Sequence, residues 1–188
     1  MSATQAAVAT RSFYHPIQRD RATFLETSEE SGGERTLVEI EVAPGGGNVL
    51  HRHHAFSERF EVVDGELTVH VDGEDVQLAP GEAATAPIGS LHHFANRTDA
   101  PVTARIELRP GSLGFERAIQ ISYGLAQDGL AAKNGAPKNL TQLGLLVEMA
   151  DSQMTGALRI LEPALRALAR RARRKGVDRE LIARYCAW

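Results

Sequence analysis

Between Asp20 and Arg109 the chain breaks into short extended segments separated by Gly, Pro and Asp, and that texture admits few folds. Thr36, Val38, Ile40 and Val42 alternate with Leu37, Glu39 and Glu41, the two-residue period of a strand with one buried and one wet face. Leu67, Val69 and Val71 repeat the pattern, Asp72-Gly73 supplies a tight hairpin turn, and Val76 and Leu78 resume the inner face. Val102, Ala104, Ile106 and Leu108 make a further strand. Many short strands with turn residues between them predict a sandwich or barrel. Residues 1–19 show no clear periodicity and read as an arm.

After Pro110-Gly111 the alternation stops. Leu113 to Gln127, Leu140 to Met154 and Pro163 to Lys175 read as helices, the last with Pro in its first turn and Gly176 as its stop. The expected organisation is an N-terminal arm (1–19), a β-barrel (20–110) and a helical C-terminal extension (111–188). Leu158, Leu161, Leu165, Leu168 and Ala172 recur at three- and four-residue spacings, beside Arg166, Arg170, Arg171, Arg173 and Arg174. Such a helix packs on the barrel or on a second subunit, with its cations at the favourable end of the dipole. A basic amphipathic helix for an anionic membrane surface or an acidic partner is the sharper, less favoured alternative.

A chain of 188 residues can bury a core without staples, so any metal it holds serves function more than folding. The one cysteine, Cys186, can form no internal disulfide and belongs to no paired zinc motif. The start lacks a basic segment followed by a long apolar one, and no run of 18 apolar residues occurs, so a cytoplasmic protein is expected. Residues 159–184 hold nine Lys/Arg against three Asp/Glu, which leaves the remainder acidic although the whole chain is only −3. No nucleic-acid partner is expected of that remainder.

Six of the seven histidines lie between residues 51 and 93. His51 and His53 are two apart on an expected strand, so both rings point to one face, where two imidazoles can converge on an ion at about 2.1 Å each. Glu58 follows His53 by five residues, an offset that puts it on the other face of a straight strand. A bend through Ala55, Phe56 and Ser57 is required before it can join them. By the same parity His54 and His93 point outward beside their neighbours, and His70 lies on the wet side. His15 carries no signal, and Asn96 reads as a turn or loop stabiliser. Phe60 shares a face with Glu58 and Phe94 with His92, so both are candidates for an apolar pocket wall or for ordinary core.

Gly45–Gly65 reads G-x5-H-x-H-x4-E-x6-G, and Gly81–Asn96 reads G-x5-P-x-G-x2-H-x3-N. In this order, with every position filled, the pair resembles the two motifs of the cupin superfamily over roughly residues 20–110. The resemblance implies an all-β core, a double-stranded β-helix or jelly-roll barrel with the helical extension appended. It also implies one divalent ion (Fe(II), Mn, Ni or Zn) held by His51, His53, Glu58 and His92. Three imidazoles and one carboxylate leave residual positive charge on the ion, and two open positions if it is six-coordinate.

The function expected is a metal-dependent enzyme, oxygenase-like, acting on a small oxygen-chelating organic molecule. The alternatives are a Lewis-acid isomerase or decarboxylase, and a non-catalytic module that binds or senses a small ligand. No acid/base residue stands out in the motifs. A homodimer is expected from the resemblance, and the arm could add a strand to a neighbour's sheet edge.

Overall fold

In the computed structural model, which describes residues 11–153 and 160–188, the strands predicted from alternation form as expected. In chain order the described elements are β1 (Ser12–His15), β2 (Asp20–Glu26), β3 (Thr36–Val42), β4 (Arg52–His53), β5 (Ser57–Asp64), β6 (Leu67–Val71), β7 (Glu74–Leu78), β8 (Ala83–Ala86), β9 (His92–Ala95), β10 (Val102–Arg109), α1 (Leu113–Gln127), α2 (Leu140–Met149), β11 (Ser152–Gln153), α3 (Glu162–Arg174) and α4 (Val177–Tyr185). A larger sheet runs β1-β2-β3-β10-β5-β8 and a smaller one β7-β6-β9, all antiparallel, while β11 pairs with β4. This is the β-rich jelly roll with a helical extension.

Alternation decides the core. Val38, Ile40 and Val42 of β3, Phe60 and Val62 of β5, and Val102, Ala104 and Leu108 of β10 are all buried between the sheets. Val76 departs from the sequence expectation, being exposed, because β7 is the edge of the smaller sheet and only its last residue, Leu78, reaches the core. Ser12–His15, within the segment read as an arm, pairs with β2 of its own chain and forms the edge of the larger sheet.

The extension builds a second apolar cluster from Ile121 and Leu125 of α1, Leu145 of α2, Ala169 and Ala172 of α3, and Leu181 of α4. Of the stripe read in the sequence, Leu165 and Ala172 are buried, Leu168 is half-buried and Leu161 is exposed, while Leu158 lies outside the described residues. Helix α1 starts where Ser112 accepts a hydrogen bond from the Phe115 amide. It is fastened to the barrel by Glu116, a buried carboxylate that accepts from the Ser28 amide (2.6 Å) and the Thr36 hydroxyl (2.7 Å). Among the described residues no helix is long and apolar enough to cross a membrane.

Candidate metal centre

The four motif residues come from three strands and one bridge. His53 ends β4, Glu58 lies in β5 and His92 opens β9, while His51 forms an isolated antiparallel bridge with His92. The chain bends at His54 and Ala55, between β4 and β5, which is how Glu58 turns back to the face of the two histidines. Gly89, in the loop before His92, has a φ of 83° and donates its amide to the carbonyl of His53 at 2.7 Å. A left-handed residue is needed there, and glycine adopts it without strain.

These side chains meet. One donor atom from each of His51, His53, Glu58 and His92 can be chosen so that all four lie within 4.8 Å of one another. The Nε2 atoms of His53 and His92 each stand 3.4 Å from a different oxygen of Glu58. Donors bound at about 2.1 Å to a common ion lie roughly 3 to 4.2 Å apart, so small side-chain rotations would seat one.

The outward nitrogens fix the tautomers. His51 Nδ1 faces the carbonyl of Val49 at 2.7 Å, His53 Nδ1 that of Ala150 at 2.9 Å, and His92 Nδ1 that of Ser90 at 3.1 Å. A carbonyl only accepts, so in each ring Nδ1 carries the hydrogen and Nε2 offers a lone pair. Nε2 of His53 and of His92 is buried with no hydrogen-bond partner among the described residues. Three lone pairs and a carboxylate therefore surround one point, an arrangement that a cation relieves. The residues fit a divalent ion.

The groups of the cluster shift one another's protonation. Burial works to raise the Glu58 carboxyl, but His53 and His92 beside it prevail, and its pKa lies below the ordinary carboxylate value. Burial lowers the His92 imidazole, yet the adjacent Glu58 carboxylate outweighs this and its pKa is raised. For His51, burial and then the charge of His53 bring the pKa down to about 4, keeping that ring neutral.

A cavity of about 430 Å³ opens beside the cluster, walled by His51, His53 and Glu58 together with Phe94, Ile106 and Phe115. Phe94 thus stands on the cavity wall, whereas Phe60 is fully buried, its ring 6.2 Å from that of His92. Phe56 and Phe115 flank His53, with ring centroids 4.3 and 6.1 Å from the imidazole. His54 is exposed, and His70 and His93 stack on each other at 5.1 Å away from the cluster. Asn96 is buried and holds its loop by donating to the carbonyls of Val42 and Ala100.

Two contributors to the site, and one buried histidine outside it, escaped the sequence reading. Phe115 and the Ala150 carbonyl come from the extension, where nothing local marks them. His15 is fully buried, its Nδ1 accepting from the amide of Gln18 at 3.0 Å, and its ring packs edge-on against Tyr123.

Residues 38–108 match the family model described as the cupin domain. The barrel is a cupin domain. A stretch of 75 residues is 35% identical to the tetracenomycin polyketide synthase protein TcmJ of Streptomyces glaucescens, covering 39% of this chain and 50% of that protein. Another of 82 residues is 28% identical to quercetin 2,3-dioxygenase of Bacillus subtilis, covering 44% of this chain and 24% of that protein. Among solved structures, an RmlC-like cupin from Shewanella frigidimarina aligns with a TM-score of 0.49 and 20% identity, over 57% of this chain and 90% of that one. The chain spans half or less of the length of these curated relatives.

Proposed function

We propose that His51, His53, Glu58 and His92 hold one divalent metal ion, and that the protein is a metal-dependent enzyme, oxygenase-like, acting on a small oxygen-chelating organic molecule. One observation carries this reading: all three imidazoles turn Nδ1 to a backbone carbonyl, leaving their Nε2 lone pairs to converge with a carboxylate beside a cavity. The names of two relatives, a polyketide synthase protein and a quercetin dioxygenase, point to oxygen-rich organic molecules as the substrate class.

When bound, the ion supplies a Lewis-acid centre with positions open to a chelating substrate and to O2. The chain's own residues do the rest. Glu58 contributes the one negative charge of the set, so an ion would keep net positive charge toward an anionic oxygen pair. The carbonyls of Val49, Ser90 and Ala150 hold the rings in orientation. Phe56, Phe94 and Phe115 make the surroundings apolar and limit water beside the substrate. In this reading the barrel holds the ion and the extension closes the cavity over it.

The test is elemental analysis of protein purified without chelators, followed by oxygen consumption with a panel of chelating enols and catechols. Metal at about one equivalent and oxygen uptake with a panel member are expected. Anaerobic turnover would replace the oxygenase reading by a Lewis-acid isomerase or decarboxylase. Tight binding without turnover would make the protein a ligand-binding module.

A further inference from the structure

The cavity has a second polar end. Helix α1 lines it with Phe115, Ala118, Ile119, Ser122 and Tyr123, spaced as one stripe of a helix. At one end of the stripe the Phe115 ring stands 6.1 Å from that of His53. At the other, the Tyr123 hydroxyl donates to Asp20 Oδ2 at 2.7 Å. Eight residues of helix separate the two, about 12 Å along the axis. Between them the wall is apolar, with Val38, Ile40, Ile106 and Phe94.

Asp20 lines this cavity but is only 2% exposed, and its Oδ1 has no hydrogen-bond partner among the described residues. A buried carboxylate with half its acceptor capacity unmet is costly inside a sealed core. Asp20 is part of the cavity wall, so a small shift of that wall would bring the same oxygen to whatever fills the cavity. Tyr123 spends its single proton on Oδ2 and so fixes the carboxylate with Oδ1 unengaged.

We infer that Asp20, oriented by Tyr123, is a ligand anchor, and that the substrate is an elongated molecule bearing an oxygen chelate at one end, an apolar middle, and at its far end a hydroxyl donor that bonds to Asp20. The inference rests on the proposed metal centre for its first anchor and adds the second. Burial raises the Asp20 carboxyl to about 6, so at neutral pH it is chiefly ionised and accepts a hydroxyl proton in a charge-assisted bond. Tyr123 is a positioning residue, acting on the ligand through Asp20.

The experiment uses full-length protein loaded with Zn(II), which is redox-silent, and three probes whose binding is followed by calorimetry at pH 7.5. Maltol carries the chelating end alone. 3-Hydroxy-2-methyl-1-phenylpyridin-4-one adds an apolar ring, and its 4-hydroxyphenyl counterpart adds a hydroxyl at the far tip of that ring. Wild-type protein is expected to bind the hydroxyphenyl probe about tenfold more tightly than the phenyl probe. In Asp20→Asn that ratio should fall to about twofold, and in Asp20→Ala to about one. Equal affinities for the two long probes in wild type, or a tenfold ratio that survives both substitutions, would overturn the Asp20 anchor while leaving metal-dependent maltol binding intact. Maltol binding that does not require Zn(II) would instead overturn the metal reading, and the second anchor with it.

Discussion

The Nδ1 of His53 stands 2.9 Å from the carbonyl oxygen of Ala150, so a barrel imidazole is oriented by a residue at the end of helix α2. The next residue, Asp151, accepts from the amides of His54 and Ala55 at 2.6 Å each, and Ser152–Gln153 pairs with Arg52–His53 as a two-stranded ribbon. The extension is therefore woven into the strand that carries His53 and into the bend that lets Glu58 join the cluster. The barrel alone would leave His53 without the partner that fixes its tautomer.

Replacing Asp151 isolates that tie. Asp151 has a φ of 50°, so Asp151→Gly keeps the backbone unstrained while removing the carboxylate. Two charge-assisted hydrogen bonds at a partly exposed site are lost, with an expected cost of about 1–3 kcal/mol by urea unfolding. Metal affinity, read by competition with a chromophoric chelator, should weaken roughly tenfold because His53 loses its bracing. An unchanged affinity would mean that the strand keeps its geometry without the extension.

Metal itself should stabilise the fold. An ion bound by the native state alone, supplied at about 100 times its Kd, adds about 2.7 kcal/mol. For a chain of this size that is a rise in Tm of roughly 5–10 °C. Chelator treatment should reverse the rise, and His92→Ala should abolish it. An identical Tm with and without Fe(II), Mn(II), Ni(II) and Zn(II) would remove the metal centre from consideration.

The two ligand-bearing stretches were legible in the sequence because strand parity is local: a two-residue spacing decides that His51 and His53 agree, and a five-residue spacing demands the bend before Glu58. The inner faces of β3 and β10 followed from the same rule. Val76 did not, since alternation says nothing of whether a strand is covered, and β7 is an uncovered edge. Asp20 and His15 were equally invisible. Their burial depends on Tyr123, more than 100 residues away, packing against them from α1. Side-chain clusters written by local spacing can be read from a chain, while the closing wall of the cavity is a long-range packing event.

Asp20 also predicts a pH dependence. Its carboxyl lies at about 6 in the folded protein against an ordinary 3.8, with burial as the leading cause. Between those values the unfolded chain releases the proton while the folded one keeps it, so this group's contribution to stability is full below pH 3.8 and is lost as pH rises through 6. The loss is about 3 kcal/mol. The stability of wild type relative to Asp20→Asn should therefore fall by that amount between pH 3.5 and 7, measured by urea unfolding across the range. A difference that stays constant with pH would show that Asp20 titrates in the folded protein as it does in the unfolded chain.

Helix α2 crosses α3 with almost no side chain between them at one point. A Cβ built on Gly144 would stand 2.6 Å from the carbonyl oxygen of Leu165, closer than real Cβ atoms come to backbone. Intrinsic helix propensity favours Gly144→Ala by about 1 kcal/mol, so a surface helix would gain from it. Here the two backbones must separate, which loosens the packing of Leu145, Ala169 and Ala172 in the second cluster. Overpacking of this kind costs typically 1–3 kcal/mol beyond any propensity gain, so net destabilisation is expected by thermal melting. Because α2 ends at the carbonyl that braces His53, Gly144→Ala should also weaken metal binding, by less than Asp151→Gly does. A stabilised Gly144→Ala protein would mean that α2 and α3 do not approach as closely as their glycine contact requires.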